Sequence, residues 1–168
     1  LFSEKGYAQT TIEDISKASE YSRRTLYAYY ESKEDILHHI IEKGLRSLKK
    51  DIESAANDNI EFACAYRAVC TAKKRYRKEY PYSLETLKRS GAVKIEQTAA
   101  SDTVKNILCL GTEINEILEA LILRGQKSGE VRKDVNPLLT VYVLSASLDS
   151  LLALAETKGE FICMQNGM

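Results

Sequence analysis

Apolar residues recur at three- and four-residue spacing along most of this chain, which is the period of amphipathic α-helices. Near the N-terminus, Ile12, Ile15 and Ala18 follow this spacing. Runs of alternating β-branched residues, which are typical of β-strands, are missing from the sequence, and Pro81 and Pro137 are its only prolines. The pattern therefore predicts an all-α fold.

Two short helices are predicted in the first thirty residues. Thr10 or Thr11 can cap a helix that begins at Ile12, because a threonine hydroxyl accepts from free backbone N–H groups. A break follows at residues 19–21, and Ser22 can cap the next helix. Two short helices joined by a turn of about three or four residues match a helix-turn-helix motif, whose second helix enters the DNA major groove.

The predicted second helix has an outward face with the chemistry of DNA recognition. Arginine offers a fork of donors for guanine or phosphate, threonine contacts base edges, and tyrosine hydroxyls reach phosphate oxygens. These residues on the outward face are Arg23, Arg24, Thr25, Tyr27 and Tyr29. An alternative stays open, since first-turn arginines are commonly only solvated and residues 1–33 carry no net charge. Aromatic residues at i and i+2 cannot share one core, so at least one of Tyr27 and Tyr29 should be exposed.

Longer helices are predicted over the rest of the chain. Their expected ranges are residues 32–56, 60–78, 81–89, 100–127 and 136–157, with Asn136 as the cap of the last helix and Pro137 at its first helical position. The last of them is apolar almost all round between Leu138 and Ala155, with Asp149 as its single charge. A helix of this kind must be covered on every side, so we expect a second copy of the chain to cover it. The basic run KKRYRKEY at residues 73–80 is an alternative nucleic-acid patch, but the favoured interpretation is that these residues lie near a helix C-terminus, where the helix dipole stabilises basic side chains.

The composition is that of an ordinary globular protein, with 24 basic and 24 acidic residues among 168. We expect a cytoplasmic protein without a membrane partner, because we expect no segment to be long and apolar enough to span a bilayer. The cysteines form no C-x-x-C pair and are expected to be buried free thiols, and His38 and His39 are adjacent rather than four apart. Neither a metal, a cofactor nor a recognisable catalytic motif is predicted, so an enzyme is disfavoured.

Three consecutive segments carry a family resemblance: LFSEKGY, TTIEDISKAS and SRRTLYAYYESKEDIL. Together they resemble the DNA-binding domain of the tetracycline-repressor (TetR) family of bacterial transcription regulators. The resemblance implies a three-helix DNA-binding domain over residues 1–45, with the chain beginning in the last part of the first helix. It implies a helical effector-binding and dimerisation domain over residues 46–168. The helix from residue 32 onward would connect the two domains and set the separation of the two DNA-binding domains in a dimer.

The resemblance also implies roles for individual residues. Phe2, Tyr7, Ile15, Leu26 and Tyr30 would form the small core of the DNA-binding domain. The sequence departs from the family pattern at Glu20, where glycine is usual, and at Tyr30, where phenylalanine is usual; glutamate accepts a left-handed backbone conformation less readily than glycine does. The candidate DNA contacts, with the predicted cap Ser22 included, are Thr11, Ser22, Arg23, Arg24, Thr25, Tyr27, Tyr29 and Lys33.

The resemblance further implies a homodimer, an unidentified small-molecule effector and a palindromic double-stranded DNA operator. The implied function is a repressor that the effector releases from DNA; the alternative is a helical dimeric interaction protein with a vestigial helix-turn-helix. The candidate dimer contacts are Ile114, Ile117, Leu118, Leu121, Tyr142, Ser145, Leu148 and Leu152. The candidate pocket residues are Phe62, Tyr66, Cys70, Tyr82, Leu84, Leu87 and Tyr142.

Overall fold

The computed structural model describes residues 1–58, 60–81 and 101–165, and within these ranges it leaves the side chains of residue 3 and residues 156–165 undescribed. The described residues form α-helices and no strand, in agreement with the predicted all-α fold. The helices are α1 (Phe2–Lys5), α2 (Ile12–Ser19), α3 (Arg23–Tyr29), α4 (Lys33–Asp58), α5 (Phe62–Glu79), α6 (Asp102–Ser128) and α7 (Pro137–Gln165).

Side-chain caps fix where three of the helices begin, as the sequence predicts. The Thr11 hydroxyl accepts from the Asp14 amide at 3.1 Å, and the Asp14 carboxylate accepts from the Thr11 amide at 2.9 Å. This reciprocal pair is a capping box at the start of α2. Ser22 caps α3 by accepting from the Thr25 amide at 3.0 Å, and the Asn136 side chain caps α7.

The predicted helix at residues 81–89 lies outside the described residues, apart from Pro81. The helix α7 ends at Gln165, later than the predicted residue 157. The expectation that no segment is long and apolar enough to span a bilayer is wrong, because Pro137–Ala155 passes that test by length and composition. Length and composition alone are weak evidence for a membrane span, because the core helix of a soluble protein passes the same test.

The described chain divides into two compact units. The first comprises Leu1–Lys50 and Arg75–Thr112. Its fully buried side chains include Leu37 and Ile41 of α4 and Ile107 of α6, which follow the predicted helical periodicity. The predicted domain boundary after residue 45 stays a prediction.

The second compact unit comprises Asp51–Lys74 and Glu113–Met168. Its core joins the small residues of α4 and α5 to larger aliphatic residues of α6 and α7. The buried residues are Ile52, Ala55, Ala56, Ala65, Val69, Ala72, Ile114, Leu118, Leu121, Ile122 and Val141. Alanines let the helix backbones approach closely, and the aliphatic side chains of α6 fill the space that remains.

The connection before α7 closes the free end of α5 in this unit. The Glu130 carboxylate accepts from the amides of Phe62 at 3.2 Å and Ala63 at 3.4 Å, and Ser128 donates to it at 2.8 Å. These bonds, that to the Phe62 amide most of all, lower the pKa of Glu130. A carboxylate from a distant segment therefore satisfies amides that α5 leaves free.

The prediction of buried thiols is wrong for two cysteines: Cys64 and Cys109 are exposed, and Cys70 is half-buried. The side chain of Cys163 lies outside the described residues. Both exposed cysteines lie on outward faces of amphipathic helices, where the spacing of the sequence alone does not determine burial.

Candidate DNA-binding interface and effector cavity

The helix α3 is held by one buried side chain and by its turn. Leu26 is the one buried residue of α3. The Ser16 hydroxyl donates to the Tyr21 carbonyl at 2.6 Å and so ties α2 to the turn. Glu20 adopts φ 61° and ψ 10°, a left-handed conformation that costs a non-glycine residue free energy. Glu20 therefore takes a left-handed conformation at the position where the family pattern has a glycine.

The outward face of α3 is open to solvent. Tyr27 and Tyr29 are 52% and 77% exposed, which satisfies the expectation that at least one of them is not packed. Arg24 is exposed and has no hydrogen bond or ion pair among the described residues. Arg23 is also exposed, and its only described ion pair is a long one to Glu13 at 3.7 Å. Because such surface pairs contribute little stability, both guanidinium groups are available to an anionic partner.

The serine and threonine hydroxyls of the predicted interface are already engaged at the starts of α2 and α3. The Thr11 hydroxyl lies 2.9 Å from Asp14 as well as capping α2. The Ser22 and Thr25 hydroxyls lie 2.8 Å apart, and Ser22 caps α3. Their first role in this structure is to fix the helix ends that present the arginines and tyrosines.

Lys33 is placed differently from the other candidate DNA contacts. Its ammonium donates to the carbonyls of Tyr7 at 2.9 Å and Thr10 at 2.8 Å, and it lies 4.4 Å from the centre of the Tyr7 ring. Two of its three N–H groups are therefore engaged within the unit. In this structure Lys33 joins the start of α4 to the segment between α1 and α2, rather than extending into solvent.

Tyr21 is a candidate DNA contact that the sequence analysis missed. It lies in the turn between α2 and α3 and is 61% exposed. Together with Tyr27 and Tyr29 it gives the motif three exposed phenol groups. Its position in the turn, outside the helical pattern, explains why periodicity did not single it out.

The small core that the resemblance implies is only partly closed. Leu26 is buried, whereas Phe2, Tyr7, Ile15 and Tyr30 are half-buried. The Tyr30 ring meets the His39 ring edge to face at 5.1 Å.

Polar contacts reinforce this part of the unit. Lys5 pairs with Asp14 at 2.8 Å, and this contact, followed by the bonds from Thr11, holds the pKa of Asp14 well below its usual range. Thr10 is fully buried and donates its hydroxyl to the Gly6 carbonyl at 2.8 Å. Capping and charge pairs thus supplement a modest apolar core.

A small apolar cavity lies within the second unit, between α5, α6 and α7. Its volume is about 20 Å³, enough for about one water molecule. Lys73 of α5 and Ser145 of α7 contribute polar groups to this otherwise mostly apolar wall. The lining residues are Tyr66, Val69, Lys73, Leu118, Leu121, Ile122, Val141, Leu144, Ser145 and Leu148.

The predicted pocket residues are only partly found at this cavity. Tyr66 lines it, and burial, with a smaller effect of the neighbouring Cys70 thiol, raises the pKa of Tyr66 to about 12. Phe62 instead stacks on Tyr66 at 5.9 Å, and Cys70 is half-buried without lining the cavity. Tyr142 is 54% exposed and does not line the cavity either. Tyr82, Leu84 and Leu87 lie outside the described residues.

The predicted dimer contacts divide between the core and the surface. Ile114, Leu118 and Leu121 are buried within their own subunit, so they are removed from the predicted dimer surface. Leu118 and Leu121 face the cavity, as do Ser145 and Leu148, which are half-buried. Ile117 and Leu152 are also half-buried, and Tyr142 is exposed. Sequence periodicity found the apolar faces of α6 and α7 but did not distinguish the inner face from the outer one.

The basic run at residues 73–80 is largely engaged in contacts of its own. Lys73 is 3.6 Å from Asp149, and the Tyr76 and Tyr80 rings stack at 5.5 Å. The Tyr80 ring lies beside Gly44, where an added Cβ would be 2.8 Å from it. Lys74 and Lys78 are the exposed cations of the run that have no described partner.

The fold and this surface define a class: a helix-turn-helix DNA-binding protein with a helical body. Residues 1–40 match the sequence model of a family described as bacterial regulatory proteins, tetR family. The chain belongs to the TetR family of DNA-binding transcriptional regulators, and it is not an enzyme.

Individual relatives support this assignment over most of the chain. The transcriptional repressor DhaR of Mycobacterium sp. (strain GP1) is 26% identical over 152 residues, which are 88% of this chain and 72% of DhaR. The crystal structure of the TetR family regulator PfmR from Thermus thermophilus superposes with a TM-score of 0.72 at 27% identity, covering 90% of this chain and 80% of PfmR. The regulator FadR from Bacillus subtilis, crystallised with stearoyl-CoA, shares the fold with a TM-score of 0.71 at 17% identity. The superposition covers 95% of this chain and 83% of FadR.

Proposed function

We propose that this regulator is a homodimeric repressor that binds a palindromic DNA operator and is released from it by a small-molecule effector. The observation that carries the proposal is the open face of α3, on which Arg24, Tyr27 and Tyr29 are exposed while Leu26 anchors the helix. A repressor role is supported by the similarity to DhaR, which is named a transcriptional repressor.

Each residue of this face has a distinct expected role. Arg24 and Arg23 would read guanine edges or bind phosphates, and Tyr21, Tyr27 and Tyr29 would donate hydroxyls to the phosphate backbone. Thr11, Ser22 and Thr25 would fix the ends of α2 and α3 and could contact phosphates through hydroxyl groups. Since residues 1–33 carry no net charge, attraction to DNA depends on the position of the cations rather than on their number.

The outer face of α7 supports the proposed dimer. Large apolar side chains on this face are 40–62% exposed in the single chain. Surfaces of this kind mark interfaces, and two copies related by a two-fold axis would cover each other's α7. The same symmetry would present two α3 helices to successive major grooves. The exposed residues are Leu138, Leu139, Tyr142, Val143, Leu151 and Leu154.

Release by an effector is proposed from the cavity of the second unit. FadR was crystallised with stearoyl-CoA, so a protein with this fold accepts a ligand with a long apolar part. An effector would favour an arrangement of the two DNA-reading helices that does not fit successive grooves, and DNA would favour the other. A regulator of this kind acts where the chromosome is, so we place it in the cytoplasm.

A binding experiment tests the proposal directly. DNA fragments that the full chain binds are selected from a random pool, and their affinity is measured as a function of salt concentration. For a dimer we expect a log–log salt slope of roughly −5 to −8. Arg24→Ala should weaken the binding free energy for DNA by about 1–3 kcal/mol and relax the preference at one base position. Replacing Arg67, an exposed arginine on α5, by alanine should change neither the affinity nor the base preference. A flat salt response, or equal losses in both variants, would favour a vestigial helix-turn-helix.

A further inference from the structure

The effector cavity carries a charged group that its apolar walls do not explain. The Lys73 side chain is only 13% exposed, and it lines the cavity together with aliphatic residues. Within the described part of the chain its ammonium has no hydrogen bond, and Asp149, at 3.6 Å, is its ion-pair partner. Burying an ammonium group is costly unless an anion and hydrogen-bond acceptors compensate for the lost water. A single carboxylate at this distance compensates only in part.

The helix α5 forms one wall of the cavity and sets the spacing of the polar groups on that wall. Tyr66, Val69 and Lys73 are three and four residues apart, so they share one face of α5. Tyr66 and Lys73 are separated by two helical turns, or about 10 Å along the axis. The lining therefore includes a cation and a phenol group on one face of α5, together with aliphatic walls from α6 and α7.

We propose that the effector is an amphipathic carboxylic acid, whose carboxylate binds Lys73 and whose apolar body lies between α5, α6 and α7. This inference rests on the proposed function and adds to it the chemical class of the effector. Asp149 takes the place of the ligand's carboxylate while the cavity is closed. The bound carboxylate accepts from the Lys73 ammonium, and the Ser145 hydroxyl, on the α7 wall of the cavity, is a second donor.

The small size of the cavity gives binding a structural consequence. A space of about 20 Å³ does not admit an alkyl chain, so the ligand enters only if α7 moves away from α5 and α6. The helix α7 contributes Leu144 and Leu148 to the cavity wall and the exposed Val143 and Leu151 to its outer face. Ligand binding therefore alters the same helix that forms the proposed dimer surface.

The test compares straight-chain carboxylic acids with alcohols of equal length on the full chain at pH 7.5. Binding is measured by calorimetry and by the shift in thermal unfolding, for chains of about 4 to 16 carbons. We expect the acid to bind about tenfold or more tightly than the matched alcohol at the best length, the contribution of a charge-assisted hydrogen bond. Equal affinities of acid and alcohol, or no acid binding at any length, would overturn the inference.

Substitutions then assign the effect to Lys73. Lys73→Met should weaken acid binding by about tenfold or more and leave alcohol binding within about threefold, while Lys73→Arg should retain the acid preference. Lys74→Met is the matched control, because Lys74 is adjacent and exposed. Asp149→Asn should lower the Kd for the acid, since it removes the internal competitor for the ammonium. Equal effects of Lys73→Met and Lys74→Met would overturn the assignment.

Failure of this inference is distinguishable from failure of the proposed function. The same protein preparations are tested for sequence-specific DNA binding and for its loss in Arg24→Ala. If DNA binding is specific and no acid binds, the effector class is wrong and the regulator stands. If an acid binds in the Lys73-dependent way but the salt response of DNA binding is flat, the cavity assignment stands and the repressor does not.

Discussion

The ammonium group of Lys33 donates to the carbonyl of Thr10 at a distance of 2.8 Å and thereby joins the start of α4 to the residue that precedes the cap of α2. Thr10 is itself fully buried, and its hydroxyl donates to the Gly6 carbonyl. The two contacts hold the segment between α1 and α2, which leads into the helix-turn-helix, through the side chain and the carbonyl of Thr10. A lysine that the sequence marks as a DNA contact thus has a positioning role in the fold.

Replacing Lys33 by methionine should weaken DNA binding through this positioning role. We expect a loss of about 1.5–3 kcal/mol in the free energy of unfolding, because part-buried bonds from a charged group are removed. The salt slope of DNA binding should change by less than about half a unit. Chemical denaturation and salt titrations measure the two effects, with Lys43→Met, an exposed lysine on α4, as control. A slope reduced by about one unit in Lys33→Met alone would show that Lys33 neutralises a phosphate.

Glycine at position 20 should stabilise the protein. Glu20 adopts φ 61°, and a left-handed conformation costs an L-residue about 1–2 kcal/mol. Glycine removes this strain, but it also increases the chain entropy of the unfolded state, which offsets part of the gain in stability. We therefore expect Glu20→Gly to raise the free energy of unfolding by about 0.5–1 kcal/mol. Glu20→Ala, which keeps the strain and removes the carboxylate, should not. A gain in both variants would assign the effect to charge.

The two glycines of α6 should respond to alanine in opposite directions. An added Cβ at Gly125 would lie 2.6 Å from Val131 and 2.8 Å from Phe62, whereas at Gly111 it meets nothing within 4 Å. Gly125→Ala should lower the free energy of unfolding by about 1–3 kcal/mol through overpacking. Gly111→Ala should raise it by up to about 1 kcal/mol through helix propensity. Denaturant titrations check both, and a gain at Gly125 would show that the connection before α7 yields easily.

Removing the Glu130 carboxylate should destabilise the protein in a pH-dependent way. The pKa of Glu130 is lowered in the fold. Its contribution to the free energy of unfolding is therefore complete above the pKa of the unfolded state, about 4.3, and disappears as the pH falls through the pKa of the folded state. Glu130→Gln should therefore be less stable than the parent at pH 7, and the difference should shrink as the pH falls below about 4. Urea titrations at several pH values measure this. Glu116→Gln, an exposed glutamate on α6, should show no such trend.

Local features of the sequence allowed much of the DNA-binding motif to be predicted. Thr11, Ser22 and Asn136 cap helices as expected, because a cap depends on residues only two or three positions away. The strain at Glu20 followed from the rarity of left-handed conformations outside glycine. The exposure of Tyr21 was missed because a turn residue has no helical period.

Contacts between distant segments were not predictable in the same way. The apolar stripe of α6 was found, but its burial within the subunit at Leu118 and Leu121 depends on which helices pack against it. The charge of Asp149 was visible in an apolar helix, and its pairing with Lys73 was not. In the sequence, Lys73 was only the first residue of the basic run at residues 73–80.

By itself the sequence determined the helices, their caps, the helix-turn-helix and the family, because each of these depends on residue types at short, fixed spacings. The tertiary structure decided which faces are inside, which side chain closes the free end of α5, and where Lys33 and Lys73 place their charges. Helical periodicity specifies that a face is apolar, but the partner of that face is chosen by packing between segments far apart in the chain. For this reason the exposed face of α3 could be predicted from the sequence, whereas the cavity and its cation required the fold.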